Sequence, residues 1–160
     1  MVLVAYLAQV HTTIIHTQVC KAMWQYKKGT TRGVLLTKRY AIKVPLLFTN
    51  TRKDKASIFI QGWFSNRIEY KIGKFLSKER FAPVLLSLFG SLVIVMPRCE
   101  TLFEKEFNSN LSLIEGIKAD LKYAYPYYDT TNGGYNDIYN YGRLNGNIVL
   151  LDYGLSMRYI

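Results

Sequence analysis

The dipeptide Asn145-Gly146, set between Arg143-Leu144 and the apolar run Ile148-Val149-Leu150-Leu151, constrains this chain more than any other feature. The two-residue hairpin turn that Asn-Gly favours, type I′, needs left-handed backbone at both central positions, which asparagine and glycine adopt at least cost. The flanking runs are therefore predicted to pair as antiparallel strands. Upstream, Gly29-Thr30-Thr31-Arg32-Gly33 punctuates the chain before Val34-Leu35-Leu36, and a Thr37-Lys38-Arg39 turn leads into Tyr40 to Pro45. That pattern predicts a second hairpin. Val84 to Phe89 and Leu92 to Met96, joined by Gly90-Ser91 and bounded by Pro83 and Pro97, predict a third. Between the hairpins, Ile58, Phe59, Gly62, Trp63, Arg67, Ile68, Ile72 and Phe75 recur at helical spacing within Ala56 to Leu76. Leu111, Ile114, Ile117 and Leu121 do the same within Leu102 to Tyr123, with glutamates early and lysines late, as a helix dipole prefers. The predicted order is ββ-α-ββ-α-ββ, an α+β chain.

Length and composition narrow the classes further. At 160 residues and 49% hydrophobic, the chain can build one core and is not compositionally disordered. Its two cysteines, Cys20 and Cys99, have no neighbouring Cys or His pair, and His11 and His16 lack further ligands at metal spacing. Neither a disulfide framework nor a zinc site is expected, and a reducing compartment is. The apolar run Val84 to Met96 is interrupted by Ser87, Gly90 and Ser91 and falls short of the roughly 20 residues that span a bilayer. The N-terminus lacks a basic region ahead of its apolar stretch, so no signal peptide is expected. Charge is uneven: residues 1–80 hold 15 Lys/Arg against 3 Asp/Glu, and residues 81–160 hold 6 against 8. A basic half suits phosphates, whether of a nucleotide, nucleic acid or an anionic surface, and equally suits a solvated face. Nine of the 13 tyrosines fall in the last 40 residues, where they could stack bases or cover the flank of a small domain.

Four pieces fall in one order. Gly29 to Gly33 precedes a strand, where backbone N–H groups could approach phosphate oxygens, with Arg32 adding a cation. Lys43 follows on the next strand in Ala41-Ile42-Lys43. Glu69 lies 26 residues later on the predicted helix, able to hold that lysine as an ion pair. Asp152 stands in Asp152-Tyr153-Gly154 after an apolar strand, a carboxylate at a turn where Mg²⁺ bound to phosphates could be held. This order resembles the protein-kinase-like fold. Tyr40 to Pro45, Asn66-Arg67-Ile68-Glu69, Ala82-Pro83-Val84-Leu85, Val95-Met96-Pro97-Arg98 and Leu151 to Gly154 look like the small kinase-like proteins encoded by tailed bacteriophages and prophages.

The resemblance implies a minimal or truncated kinase-like fold: an extension at 1–28, an N-lobe of antiparallel sheet and one helix at 29–98, and a reduced C-terminal part at 99–160. It implies ATP and Mg²⁺ as cofactors. Gly29, Arg32, Gly33 and Lys43 would bind the phosphates and Glu69 would orient Lys43. Adenine would lie against the hinge from Val95 to Cys99, including Met96, and Asn140 and Asp152 would hold the metal. A phage origin implies the bacterial cytoplasm or the virion. The departures bear on activity. Asn140 lies 12 residues before Asp152, near the kinase spacing, but the catalytic aspartate's place five residues before Asn140 holds Tyr135. Asp137 is the nearest carboxylate, as a base or as a solvated turn residue. With six residues after Gly154, no activation segment or substrate-docking lobe is expected. The resulting expectation is a nucleotide-binding protein with weak or absent phosphotransfer. A pseudokinase-type protein binding a host or virion protein is the alternative, and a nucleic-acid binder using the basic half is a third.

Overall fold

The computed structural model describes residues 24–47, 55–124 and 137–154. The chain is α+β, as expected, and is built on two antiparallel sheets. Strands β1 (Gln25–Lys28), β2 (Arg32–Leu36), β3 (Tyr40–Pro45), β4 (Leu86–Leu88) and β5 (Val93–Pro97) form the larger, in the order β1-β2-β3-β5-β4. Strands β6 (Glu100–Thr101), β7 (Tyr141–Leu144) and β8 (Asn147–Leu150) form the smaller. Helix α1 (Lys55–Ile72) packs on β3, while α2 (Glu104–Ser109) and α3 (Leu111–Ala124) follow the second sheet's first strand. A short 3₁₀ turn, Ile138–Asn140, leads into β7.

The Asn-Gly hairpin forms as predicted. Asn145 and Gly146 both take positive φ, 51° and 86°, and Leu144 pairs with Asn147 across the turn. The β2–β3 and β4–β5 hairpins also form. The latter differs from expectation in its turn: β4 begins only at Leu86, and Phe89, Gly90 and Ser91 are all left-handed. Leu88 pairs with Val93, so the reversal spans the four residues 89–92 where a two-residue Gly-Ser turn was expected.

Three other expectations need correcting. The sheet gains β1, which pairs in register from Gln25↔Leu36 to Lys28↔Gly33, so it takes in residues assigned above to the N-terminal extension. The second helix is broken in two: Asn110 sits outside helical geometry at φ −117°, ψ 23°, and its side-chain amide donates to the Glu106 carbonyl, 2.8 Å. A side chain that competes for a backbone acceptor in this way favours a helix end over continuation. Helix α1 ends at Ile72, before Gly73, so Phe75 falls beyond it and is 86% exposed. His11, His16, Cys20, Tyr135 and residues 50–54 lie outside the described residues.

One apolar core joins the two sheets. Ile94 and Met96 of β5 meet Phe81, Ile114, Ile117 and Leu121, together with Tyr141, Val149, Leu150 and Tyr153. Phe81 stands edge-on to Tyr153 with ring centroids 5.7 Å apart, and Phe107 does the same to Tyr141 at 5.5 Å. A backbone bond from the Ala82 N–H to the Leu150 carbonyl, 3.0 Å, fixes the segment before β4 against β8. The C-terminal turn is thereby anchored under the larger sheet. Ile117 is wholly buried in this core, whereas Leu111 on the same helix is half exposed. Ile117→Ala is expected to cost about 2–5 kcal/mol and Leu111→Ala no more than about 0.5 kcal/mol, read as the shift in urea unfolding free energy.

Candidate functional site

Helix α1 buries a face that is more polar than apolar. Gly62, Ser65, Asn66, Glu69 and Ile72 are its buried residues, spaced by three and four so that they share one side. Gly62 lets the helix come close to the sheet, because a Cβ there would stand 2.4 Å from the Thr31 carbonyl oxygen. At that distance the polar side chains of the same face reach the sheet directly. Burying them costs free energy unless each finds a partner. Among the described residues, every buried side-chain nitrogen and oxygen has one.

Glu69, with no exposed surface, is the centre of the arrangement. Lys43 on β3 donates from Nζ to both of its oxygens, at 2.9 and 3.0 Å, and to the Leu151 carbonyl at 2.7 Å. The ion pair expected from the 26-residue spacing is present. Arg32 enters from the start of β2 and meets Glu69 Oε2 at 3.0 Å and Oε1 at 3.3 Å. The backbone N–H groups of Tyr153 and Gly154 each donate to Glu69 Oε1 at 3.1 Å. One carboxylate therefore ties together β2, β3, α1 and the turn that follows β8.

Asp152 completes the cluster. Its Oδ1 accepts from Arg32, whose guanidinium also donates to Asn66 Oδ1 at 3.1 Å. Burial works to raise the Asp152 pKa, but the Arg32 and Lys43 cations outweigh it and hold the carboxyl well below the usual carboxylate range. Burial likewise works to lower the Arg32 pKa, and Asp152 and Glu69 more than reverse it. Two cations and two carboxylates thus form a closed, internally neutral group. The neighbouring Tyr153 phenol is pushed up by burial and by Glu69 and Asp152, and it donates to the Ala82 carbonyl at 2.9 Å.

The other candidate residues are distributed around this group. Gly29 closes the β1–β2 turn, its N–H donating to the Arg32 carbonyl at 2.8 Å, so that donor is spent within the hairpin. Gly33 pairs with Val44, and the Tyr26 ring lies over it so closely that a Cβ would fall 2.4 Å from the phenol oxygen. Met96 is buried opposite Ala41, and the backbone after it passes from the larger sheet to the smaller. Cys99 in that connector is half-buried, with its thiol pushed up to about 11 by burial despite Lys43, which leaves it protonated at neutral pH. Asn140 ends the 3₁₀ turn, and its carbonyl accepts from the Leu151 N–H at 2.7 Å, adjoining the Asp152 turn. Asp137 is exposed and caps the same 3₁₀ turn, accepting from the Tyr139 N–H at 3.0 Å. Sequence reasoning missed Asn66, which binds Arg32 and donates to the Leu92 and Lys43 carbonyls at 3.2 and 3.4 Å. Its position three residues before Glu69, on the same helix face, was the available signal.

No protein-family model, curated protein or solved structure matches the chain. Among the described residues there is also no group of three or more His, Cys, Asp or Glu able to hold a metal ion.

The cluster has two measurable consequences for stability. Glu69→Gln leaves two buried cations short of charge and is expected to destabilise by about 3–5 kcal/mol in urea unfolding. For Asp152, the folded-state pKa is depressed. Its contribution is therefore fully present above the unfolded carboxylate value of about 3.9 and is lost as pH falls from there towards the folded value. In Asp152→Asn the fall in stability below about pH 4 is expected to be shallower than in the parent, as read by thermal unfolding across an acid pH series.

Proposed function

We propose that this chain is a kinase-like nucleotide-binding protein, of the kind encoded by tailed bacteriophages, with weak or absent phosphotransfer. The observation that carries the reading is the Lys43–Glu69 pair. A strand lysine is fixed at 2.9 Å by a wholly buried helix glutamate, and its third contact is the carbonyl of Leu151, immediately before Asp152-Tyr153-Gly154. A lysine serving only as a solvated strand residue would have no need of a buried counter-ion. In this reading ATP places its phosphates near Lys43, while its base lies against the connector from Val95 to Cys99. Phosphotransfer is weak for a geometric reason. The nearest carboxylate to the expected base, Asp137, is engaged in capping its own turn at an exposed position. A positioned base typically contributes about 10²–10⁴-fold in rate. The resemblance also implies Mg²⁺ at Asn140 and Asp152, where Arg32 already occupies a carboxylate oxygen.

A second reading draws on a different surface. Edge strand β4 exposes Leu86 and Leu88, and Phe89 beside them is 77% exposed, which favours a pseudokinase-type role in binding a host or virion protein. Nucleic-acid binding is a third reading, and it rests on the basic half of the chain, 15 Lys/Arg against 3 Asp/Glu in residues 1–80. No described helix is long and apolar enough to cross a membrane.

Thermal titration with ATP separates the readings. Nucleotide binding at 100 times Kd is expected to add about 2.7 kcal/mol of stability. Incubation with γ-labelled ATP and a protein acceptor is expected to give little or no transfer. An unfolding temperature unmoved by millimolar ATP would sink the nucleotide reading and leave the protein-binding one.

A further inference from the structure

Helix α1 has a second face that neither the core nor the Glu69 cluster uses. Gly62, Ser65, Asn66, Glu69 and Ile72 define its side against the sheet. Trp63, Arg67, Tyr70 and Lys71 fall on the outward side at helical spacing, and Lys74 in the turn beyond Ile72 continues the line. Arg67, Lys71 and Lys74 are exposed. Each ring of the stripe has a cation beside it: the Arg67 guanidinium lies 6.0 Å from the Trp63 ring centre, and Lys74 Nζ lies 4.3 Å from that of Tyr70. The indole is fixed in turn by its Nε1–H, which donates to the Gly90 carbonyl at 2.7 Å.

A solvated helix face ordinarily mixes charges of both signs, so that residues three and four apart offset one another. Helix α3 does so, pairing Lys118 with Glu115 at 2.6 Å and Asp120 with Arg80 at 2.8 Å. The outward face of α1 does not. From Lys55 to Lys78 there are five Lys or Arg, and the one carboxylate is Glu69, sealed on the other side of the helix. Arg67 and Lys71 stand four apart with like charge, Lys71 and Lys74 three apart, and no described carboxylate pairs with any of them. A polyanion relieves that repulsion, and the rings select its kind. An acidic peptide would engage the cations alone, whereas a nucleic-acid strand sets phosphates on the cations and bases on the rings and the guanidinium plane. The sheet closes α1 on one side and the β4–β5 turn holds Trp63 at its flank, so the helix does not stand free to enter a duplex major groove. We propose that the face of α1 from Trp63 to Lys74 binds single-stranded nucleic acid. This site is separate from the Lys43–Glu69 pair and goes beyond the nucleotide-binding reading.

Fluorescence-anisotropy titration of the full chain tests the proposal, using labelled oligothymidylate, oligouridylate and a duplex of equal length across a salt series. Either single strand is expected to bind more tightly than the duplex, and the tighter of the two names the sugar that the face takes. Arg67→Gln, Lys71→Gln and Lys74→Gln are each expected to make the slope of log affinity against log salt shallower by about 0.7. Tyr70→Leu is expected to weaken binding by about fivefold or more with the slope unchanged. Lys38→Gln, at an exposed lysine of the β2–β3 turn, is expected to change neither. Should Tyr70→Leu unfold, the three charge variants, all at exposed positions, decide the matter. Failure of both single strands to bind at low salt overturns the proposal, as does a duplex bound equally well. Equal losses in Lys38→Gln and the α1 variants overturn the assignment to this face. Binding to phosphatidylserine vesicles with none to the oligonucleotides overturns it in favour of a lipid surface. ATP titration of the same variants is expected to match the parent, so the nucleotide-binding reading stands or falls separately.

Discussion

A single carboxylate with no access to solvent, Glu69, holds the architecture to its topology. Isolated in the interior, an ionised carboxylate would be strongly unfavourable, and an ion pair alone seldom recovers the full desolvation cost. Here the recovery is distributed: two side-chain cations and two backbone N–H groups converge on the two oxygens. Because the donors come from β2, β3 and the turn after β8, none can shift without exposing the others' charge unpaired. An apolar residue of similar volume could fill the space. It could not specify which strand edge and which turn must meet there, and directional specification of this kind is a use to which buried polar networks are put.

The polar face of α1 follows from that constraint. An apolar stripe would bring the helix onto the sheet by non-directional burial, whereas Ser65, Asn66 and Glu69 at helical spacing demand particular partners. Gly62 sets the separation, allowing the helix backbone to approach the Thr31 carbonyl. The separation in turn determines that Asn66 can bridge β3 and the β4–β5 turn through the Lys43 and Leu92 carbonyls. Apolar cohesion is supplied elsewhere, by the core around Ile94, Ile117 and Val149. The molecule thus separates its cohesive region from its specifying one.

That separation explains what could be read in the chain and what could not. Hairpins were legible because turn chemistry is local: Asn145-Gly146 declares its backbone angles without reference to anything distant. The Lys43–Glu69 pair was legible from order, a strand lysine followed by a helix glutamate. Strand β1 was not, since Gln25–Lys28 is exposed along its whole length and owes its conformation to pairing with β2 rather than to its own pattern. The helix face was misjudged because periodicity weighs apolar residues, and here Phe75 is exposed while Asn66 and Glu69 are buried. The break at Asn110 depends on a side-chain amide choosing a backbone acceptor, which spacing alone does not encode. Arg32 was legible as a cation of the β1–β2 turn, but its burial was not. Its partners, Asn66, Glu69 and Asp152, lie 34 to 120 residues away, and no feature of its own neighbours announces them.

The inward turn of Arg32 also sets where solvent meets the cluster, because Arg32 and Lys43 are both buried against Glu69. Asp152 stands apart from them. Its side chain is partly exposed, whereas the Glu69 side chain is sealed on every side. The fold's central contact at Glu69 is therefore insulated from water, while Asp152 at the cluster's edge is the part that solvent reaches.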